Sequence, residues 1–292
     1  MSPTDEAPRT GILWIVATPI GTLGDFAPRA REVLDGVELI LAEDTRRVGR
    51  LLEHAGVSGG GRVRSFHEHN EADRLSESLA ALHRGASVAL VSDAGTPVLS
   101  DPGFVLVRQV RREGLRVASV PGPSSFTAAL AASGQPPLPA TLVGFLPPKP
   151  GARRKRVREL AGLPWTVVIL LSPHRLKDEL EDLRAGFGPD RPATLLAELS
   201  KVHERAQFAT LGELAAGREV QRPRGEYVVV VGPGDAPGCD GAAGPETIRE
   251  LYATAIASGL SRKEAIKATA AELGLDRRAV FNALVTDRRG GK

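Results

Sequence analysis

The stretch Val88–Pro102 constrains the fold more than any other. It opens on Val88-Ala89-Leu90-Val91, a continuous apolar run suited to a strand covered on both faces. It then breaks into Ser92-Asp93-Ala94-Gly95-Thr96-Pro97 and closes on Ser100-Asp101-Pro102-Gly103. There Asp101 is placed to cap a helix and Pro102 to take its first position. A strand, a glycine-containing loop and a helix in succession is how an open α/β sheet builds a ligand pocket at the carboxyl ends of its strands. An ordinary strand-to-helix connection has the same local pattern. Two further stretches of this design favour the pocket: Ala17-Thr18-Pro19-Ile20-Gly21 and Pro121-Gly122-Pro123-Ser124.

Between these stretches strands and helices alternate. Ile12–Val16 is a buried-strand run, and Pro28–Leu34 reads as a helix ended by Gly36. The strand Val37–Ala42 runs into Glu43-Asp44-Thr45-Arg46-Arg47, two carboxylates and two guanidinium groups at a strand's carboxyl end. They form either part of a site or a solvated helix start with Asp44 as N-cap. The glycine-rich loop Gly56–Arg62 lacks the spacing and lysine of a phosphate-binding loop. His67-Glu68-His69 has metal-ligand spacing but no third ligand nearby, so no metal site is assigned. Asn70 reads as the N-cap of a helix Glu71–His83, with Asp73 completing a partial capping box. Helices over Pro102–Arg112 and Ser125–Ala132, the latter capped by Ser124, flank a strand Val117–Val120. This order implies a largely parallel sheet with right-handed crossovers.

Gly134–Pro139, with its three prolines, is the best candidate for a boundary. The expected organisation is a disordered lead over 1–10, α/β domains over 11–133 and 140–233, and a helical, helix-turn-helix-like tail over 245–292. Strands are expected at Thr141–Phe145, Thr166–Leu171, Ala193–Glu198 and Val228–Val231, with a helix Leu176–Leu183. The most basic run, Lys149 through Arg153-Arg154-Lys155-Arg156, follows prolines that should keep it extended. It is either a solvated charge run or a contact for a phosphate backbone. Gly232–Pro245 reads as a flexible linker. The tail has helical patterns at Ile248–Ala257, Arg262–Leu273 and Arg277–Val285, with Leu275 and Asp276 near the last start. Arg277 and Arg278 add to its basic character.

Composition narrows the class. A chain of 292 residues with 42% hydrophobic and 25% charged content can bury a real core. Its net charge of +3 permits nucleic acid without demanding it. The single cysteine, Cys239, excludes a disulfide framework or a cysteine zinc site and points to a reducing compartment. The first ten residues have no signal-peptide pattern, and no apolar run is long enough to span a bilayer. A cytoplasmic protein without membrane contact is expected.

Ala17–Gly21, Ala42-Glu43-Asp44-Thr45-Arg46 and Ser92–Pro97 together resemble, in order and spacing, the tetrapyrrole-methylase superfamily, and most nearly its ribosomal RNA small subunit methyltransferase I family. The resemblance runs from about Gly11 to Gly232, supported by Gly144-Phe145-Leu146-Pro147, Pro173-His174-Arg175 and Gly225-Glu226. It implies two α/β domains with S-adenosylmethionine in the cleft between them, and a homodimer. It also implies methylation of the ribose 2′-hydroxyl of a cytidine in the decoding region of 16S ribosomal RNA, within the small ribosomal subunit. By position, Asp93, Ala94, Gly95, Thr96 and Pro97 would contact the donor, together with Thr18, Pro19, Ile20 and Gly21. Ser124 and Ser125 would lie at its adenosine or methionine end, and Ser172, Leu199 and Gly225 would close the site. The chain departs from the pattern at Leu170-Leu171-Ser172, where many relatives have Tyr-Glu-Ser, and at Ala197-Glu198, where Arg-Glu is familiar.

A ribose hydroxyl is a poor nucleophile until it gives up a proton, so a base or a polarising cation would help. Candidates are Glu43, Asp44, His69 and Lys201. Arg46 and Lys201 can instead stabilise the developing alkoxide or grip a phosphate, or each can be an ordinary surface ion pair. Lys149, Arg153, Arg154, Lys155, Arg156, Arg277 and Arg278 are the candidate RNA contacts. Two other functions fit the same resemblance: methylation of a corrin or other tetrapyrrole ring, and a non-catalytic RNA-binding assembly factor.

Overall fold

The computed structural model describes residues 10–67, 69–234, 245–273, 277, 280, 281 and 284. The expected lead up to residue 9, the linker residues 235–244 with Cys239, and Leu275, Asp276 and Arg278 lie outside the described residues. The chain through Gly232 is one compact unit and the chain from Pro233 is another.

The first unit is built on two sheets. The first contains β1 (Ile12–Val16), β2 (Leu39–Ala42), β3 (Val63–Ser65), β4 (Val88–Val91) and β5 (Arg116–Val120). Their order is β3-β2-β4-β1-β5, every pairing parallel. Helices cover both faces, which is why β2 and β4 are buried at every residue. On one face α1 (Pro28–Gly36) and α2 (Thr45–His54) pack Leu34, Val48 and Leu52 on Val16, Ile40 and Val91. On the other, α3 (Glu71–His83) and α4 (Phe104–Arg112) pack Leu82, Leu106 and Val110 on Leu13, Leu41 and Leu90. Val16 stands opposite Val91, so the loops after β1 and β4 leave the sheet side by side.

The chain then runs through α5 (Ser125–Ala132), β6 (Ala140–Phe145), α6 (Pro150–Ala161), β7 (Thr166–Leu171), α7 (Leu176–Phe187), β8 (Pro192–Ala197), β9 (Arg205–Thr210), α8 (Leu211–Ala216) and β10 (Tyr227–Val231). The second sheet has the order β6-β7-β10-β8-β9. Only β6–β7 is parallel; the other three pairings are antiparallel, so this sheet is mixed. Strand β9 carries no continuous apolar signal because it is a largely exposed edge strand. α6, α7 and α8 cover one face. The other face receives Ala129 of α5 and, from the loop after β1, Ile20. The segment Gly134–Pro139 is likewise tied to this sheet. Thr194 Oγ1 donates to Ser133 O at 2.6 Å, and Thr166 Oγ1 to Pro136 O at 2.6 Å.

Several local expectations need correction. Helix α4 starts at Phe104 with Gly103, at φ +124°, in the cap position, so Asp101 caps nothing. The run after Lys149 is helical, not extended: Pro150 occupies the first turn of α6, where its missing N–H costs nothing. Asn70 makes no capping bond to α3; its amide instead ties His67 N to Ser65. Ser124 sits at the N-cap position of α5 without a side-chain cap bond.

The second unit contains α9 (Pro245–Ala257) and α10 (Arg262–Glu272). Ile248, Ala270 and Val280 form its core, with Ile266, Leu273 and Leu284 packed against them. Ser261 and Glu264 form a capping box at the start of α10. Of the expected helix-turn-helix connection Glu272–Asp276, Glu272 ends α10 and Leu273 caps it, while residues 274–276 lie outside the described residues. Among the described residues, no helix is long and apolar enough to cross a membrane.

Candidate active site

Three loops meet at the carboxyl edge of the first sheet. Thr18 and Gly95 form an isolated two-way bridge, with N···O distances of 2.9 and 3.0 Å. Thr18 Oγ1 donates to Ser92 O at 3.1 Å, closing the loop after β4 onto the loop after β1. Thr96 Oγ1 donates to Pro123 O at 3.2 Å, which brings in the loop ahead of α5.

Asp93 fixes the start of α2 against this cluster. Its Oδ1 accepts the Asp44 N–H at 3.0 Å and its Oδ2 pairs with Arg47 at 3.1 Å. Asp44 in turn caps α2, accepting from the N–H groups of Arg46 and Arg47. The Arg46 N–H holds the Asp44 carboxyl below its ordinary range, so Asp44 is a poor proton acceptor near neutrality. Arg46 points to solvent beside it.

The second sheet closes the space from the other side. The chain Glu198-Leu199-Ser200-Lys201 makes a tight reversal after β8, with φ of +56° at Glu198 and +61° at Ser200. Ser200 grips the first half of the unit: Thr22 Oγ1 donates to Ser200 O, and Ser200 Oγ donates to Asp25 Oδ2 at 2.7 Å. Gly21 lies so close that a Cβ there would stand 2.6 Å from Ser200 O. Lys201 Nζ bonds to Glu198 Oε1 at 2.9 Å and Glu226 Oε2 at 3.1 Å. Burial pulls the Lys201 pKa down, but its bonds to Glu198 and Glu226 outweigh it and the net shift is upward. Lys201 is therefore held as a cation and does not serve as a base.

A cavity of about 430 Å³ lies between these elements. Thr18, Pro19, Ile20, Gly21, Asp93, Ala94 and Lys201, all marked from sequence, line it. So do Ser92, Arg47, Arg50, Leu51 and Glu226, which sequence reading did not assign as contacts. Gly95 and Thr96 stand behind the wall and hold it, and Pro97 is buried. Leu199 is buried in the same apolar cluster as Ile20. Ser172 is buried with its N–H on Glu179, Gly225 packs against the Glu198 carboxylate, and Ser125 opens α5. None of these three, nor Ser124, lines the cavity. A slightly larger cavity of about 480 Å³ lies against α1 and the end of α2, away from the loop after β4.

A smaller cavity of about 370 Å³ lies by the ends of β2 and β3 and the loop ahead of α4. Glu43, His67, His69, Ser100, Asp101 and Pro102 line it. Desolvation, reinforced by the charge of Glu43, pushes the Asp101 carboxyl up to about 6, against a hydrogen bond from Ser92. Sequence reading placed Asp101 wrongly, because its nearness to Glu43 follows from the pairing of β2 with β4 and from no local pattern. The His67 and His69 rings meet edge to face, with centroids 5.9 Å apart.

The basic helix α6 is two-faced. Arg153 is buried and pairs with Asp182 at 2.6 Å, so it is not presented to RNA as expected. Arg154 pairs with the same carboxylate while remaining mostly exposed. Lys149, Lys155 and Arg156 face solvent, as does Arg277 in the second unit.

Residues 12–215 match the family described as tetrapyrrole (corrin/porphyrin) methylases. The chain belongs to that family. Among the proteins similar to it, several are named ribosomal RNA small subunit methyltransferase I. The relative in Xylella fastidiosa (strain Temecula1) is 43% identical over 279 residues, covering 93% of this chain and 98% of its own. That in Pseudomonas aeruginosa is 43% identical over 243 residues, covering 82% and 86%. The chain therefore belongs also to the ribosomal RNA small subunit methyltransferase I family. Among solved structures, a cobalt precorrin-4 methyltransferase of cobalamin biosynthesis has a TM-score of 0.57 at 20% identity, covering 76% of this chain and 94% of its own. A uroporphyrin-III C-methyltransferase from Thermus thermophilus has a TM-score of 0.52 at 24% identity, covering 76% and 94%. These two share the tetrapyrrole-methylase fold.

Proposed function

We propose that this protein transfers a methyl group from S-adenosylmethionine to the 2′-hydroxyl of a cytidine ribose in the decoding region of 16S ribosomal RNA. The observation that carries the reading is the near full-length likeness to relatives whose shared name states methylation of small-subunit ribosomal RNA. The 430 Å³ cavity suits the donor. Ile20, Leu23, Val48 and Leu51 offer an apolar wall for a purine. Asp93 and Glu226 offer carboxylates for hydroxyl, amino or sulfonium groups, and Arg47, Arg50 and Lys201 offer cations for an aminocarboxylate. Bound there, S-adenosylmethionine supplies a methyl group already activated on a positively charged sulfur.

The protein's own work is then alignment. Bonds between the loops after β1, β4 and β5 fix one wall, and Ser200 and Lys201 fix the other. Such positioning supplies roughly 7–11 kcal/mol of a transfer barrier. Arg46, largely exposed beside Asp44, can reach a substrate phosphate, and the exposed cations of α6 offer a track for the RNA backbone. Glu43 and His69 line the smaller cavity. A substrate in the ribosome places the protein in the cytoplasm. Exposed apolar side chains at Leu99, Phe104, Val105 and Phe145 supply surface for the homodimer the family resemblance implies, which light scattering in solution checks.

The test incubates purified protein and labelled donor with small subunits from a strain lacking the enzyme. Label on a cytidine ribose is expected. Label on a tetrapyrrole instead, or no donor binding by calorimetry, would replace this reading with ring methylation or with an assembly role.

A further inference from the structure

We propose that the 480 Å³ cavity against α1 and the end of α2 is a base pocket, and that it takes a guanine next to the methylated nucleotide of the substrate RNA. The assignment rests on the ribose-methylation reading above and extends it to what the enzyme reads around its target.

The first observation is continuity with the donor cavity. Leu23 lines both cavities. Along α2, Arg50 and Leu51 line the donor cavity, and His54 and Ala55, four residues on, line the other. Four residues of helix span about 6 Å, a step that neighbouring unstacked nucleotides can bridge. Arg46, Arg50 and His54 recur at every fourth residue, so one flank of α2 runs from the donor side to this cavity.

The second observation is the ridge between the cavities. Leu23 opens a short 3-10 turn, Leu23–Asp25, that is pinned on both sides. Thr22 Oγ1 donates to Ser200 O, Asp25 Oδ2 accepts from Ser200 Oγ, and Phe26 packs against the core of the first sheet. Leu23 itself is nevertheless 45% exposed. A large apolar side chain held in the open on an anchored ridge has the form of a wedge that separates two bases. Beside it the half-buried Phe26 offers an aromatic surface, on which a splayed-out RNA base stacks.

The third observation is the set of polar groups. Arg31, Glu32 and Asp35 of α1 and His54 of α2 line the cavity. Among the described residues their side chains form no hydrogen bond or ion pair, although Arg31 and Asp35 stand four apart on one helix. A Cβ on Gly56, which lies at φ +67°, would stand 3.2 Å from Arg31 Nη2, so the bare glycine leaves the guanidinium room against the end of α2. Two carboxylates against one guanidinium disfavour a phosphate and suit a base edge that offers N–H donors. Guanine presents adjacent N1–H and N2–H donors, which one carboxylate accepts together, and an O6 acceptor for an arginine. The cavity is large enough for such a base.

The test uses small subunits reconstituted from 16S RNA in which the two neighbours of the methylated nucleotide are changed one at a time. Wild type is compared with the double variant Glu32→Gln, Asp35→Asn. For wild type, replacing the guanine neighbour by adenine is expected to lower kcat/KM roughly 10- to 100-fold. The double variant is expected to raise the KM for unaltered subunits by a similar factor and to lose that discrimination. Its kcat and its calorimetric affinity for S-adenosylhomocysteine should stay within about threefold of wild type, and its melting temperature should be unchanged, as for other exposed substitutions. A double variant with KM within threefold of wild type overturns the assignment. So does a wild type indifferent to both neighbours, or a rise in KM that comes with lost donor affinity, which would make the cavity part of the donor site. Those outcomes, with label still on a ribose, remove this assignment alone; wild type that labels no ribose overturns the functional reading and this assignment with it.

Discussion

Asp101 shows how burying a single carboxyl makes stability depend on pH. Its pKa of about 6 in the fold lies above its ordinary 3.8, so the native state binds the extra proton between those values. Its contribution to stability is fully present below about pH 4 and is lost as pH rises through 6. Asp101→Asn removes that penalty. The variant should be more stable than wild type by about 1–2 kcal/mol at pH 7, with the gap closing below pH 4, as urea unfolding at several pH values would measure. Glu198 has the opposite sign. Its bond from Lys201 lowers its pKa from the ordinary 4.5, so this pair stabilises above that value and the gain disappears as pH falls. Lys201→Met should cost about 1 kcal/mol at pH 7 and little at pH 3. It should also weaken donor binding, since the cavity loses a cation beside two carboxylates.

At the scale of elements, α6 separates two uses of arginine. Arg153 and Asp182 are a buried pair, 3% and 8% exposed, that clamps α6 to α7. Breaking such a pair by removing one partner costs about 3–5 kcal/mol, because the other charge stays buried. Asp182→Ala should therefore lower the melting temperature sharply. Lys155→Glu, on the solvent face, should leave melting unchanged. It should weaken binding to the small subunit and make the dependence of log K on log salt shallower by about one unit or more. Charge along the chain is identical in kind for these residues; helical periodicity and the partner on α7 decide which is structural. The same lesson applies to Asp44, Asn70 and Ser124. Each was legible as a cap from residue type and position, yet only Asp44 makes the bond, because the side chains around Asn70 and the backbone ahead of α5 offer other geometry.

At the scale of the molecule, the site depends on the two sheets of the first unit closing on each other. Ile20 is part of the apolar cluster on the second sheet, and Thr22 and Asp25 grip Ser200. Gly21 lies so near Ser200 that a side chain there would clash with its carbonyl, so Gly21→Val should prevent closure. We expect it to cost about 1–3 kcal/mol and to abolish donor binding by calorimetry, with both sheets still folded by circular dichroism.

The strand-end loops and the parallel first sheet were legible in the order of residues alone. Continuous apolar runs and small, proline-bearing breaks are local signals that any buried strand and tight turn must carry. The same order of residues also carried the family, through Ala17–Gly21, Glu43–Arg46 and Ser92–Pro97. The antiparallel pairings of the second sheet, the burial of Arg153, the reach of Ile20 into the second half, and the place of Asp101 in a cavity rather than on a helix end emerge only from the folded chain. Each depends on which distant segment lies opposite. Burial, charge and strain at a residue are set by partners dozens of positions away, and no local pattern encodes them.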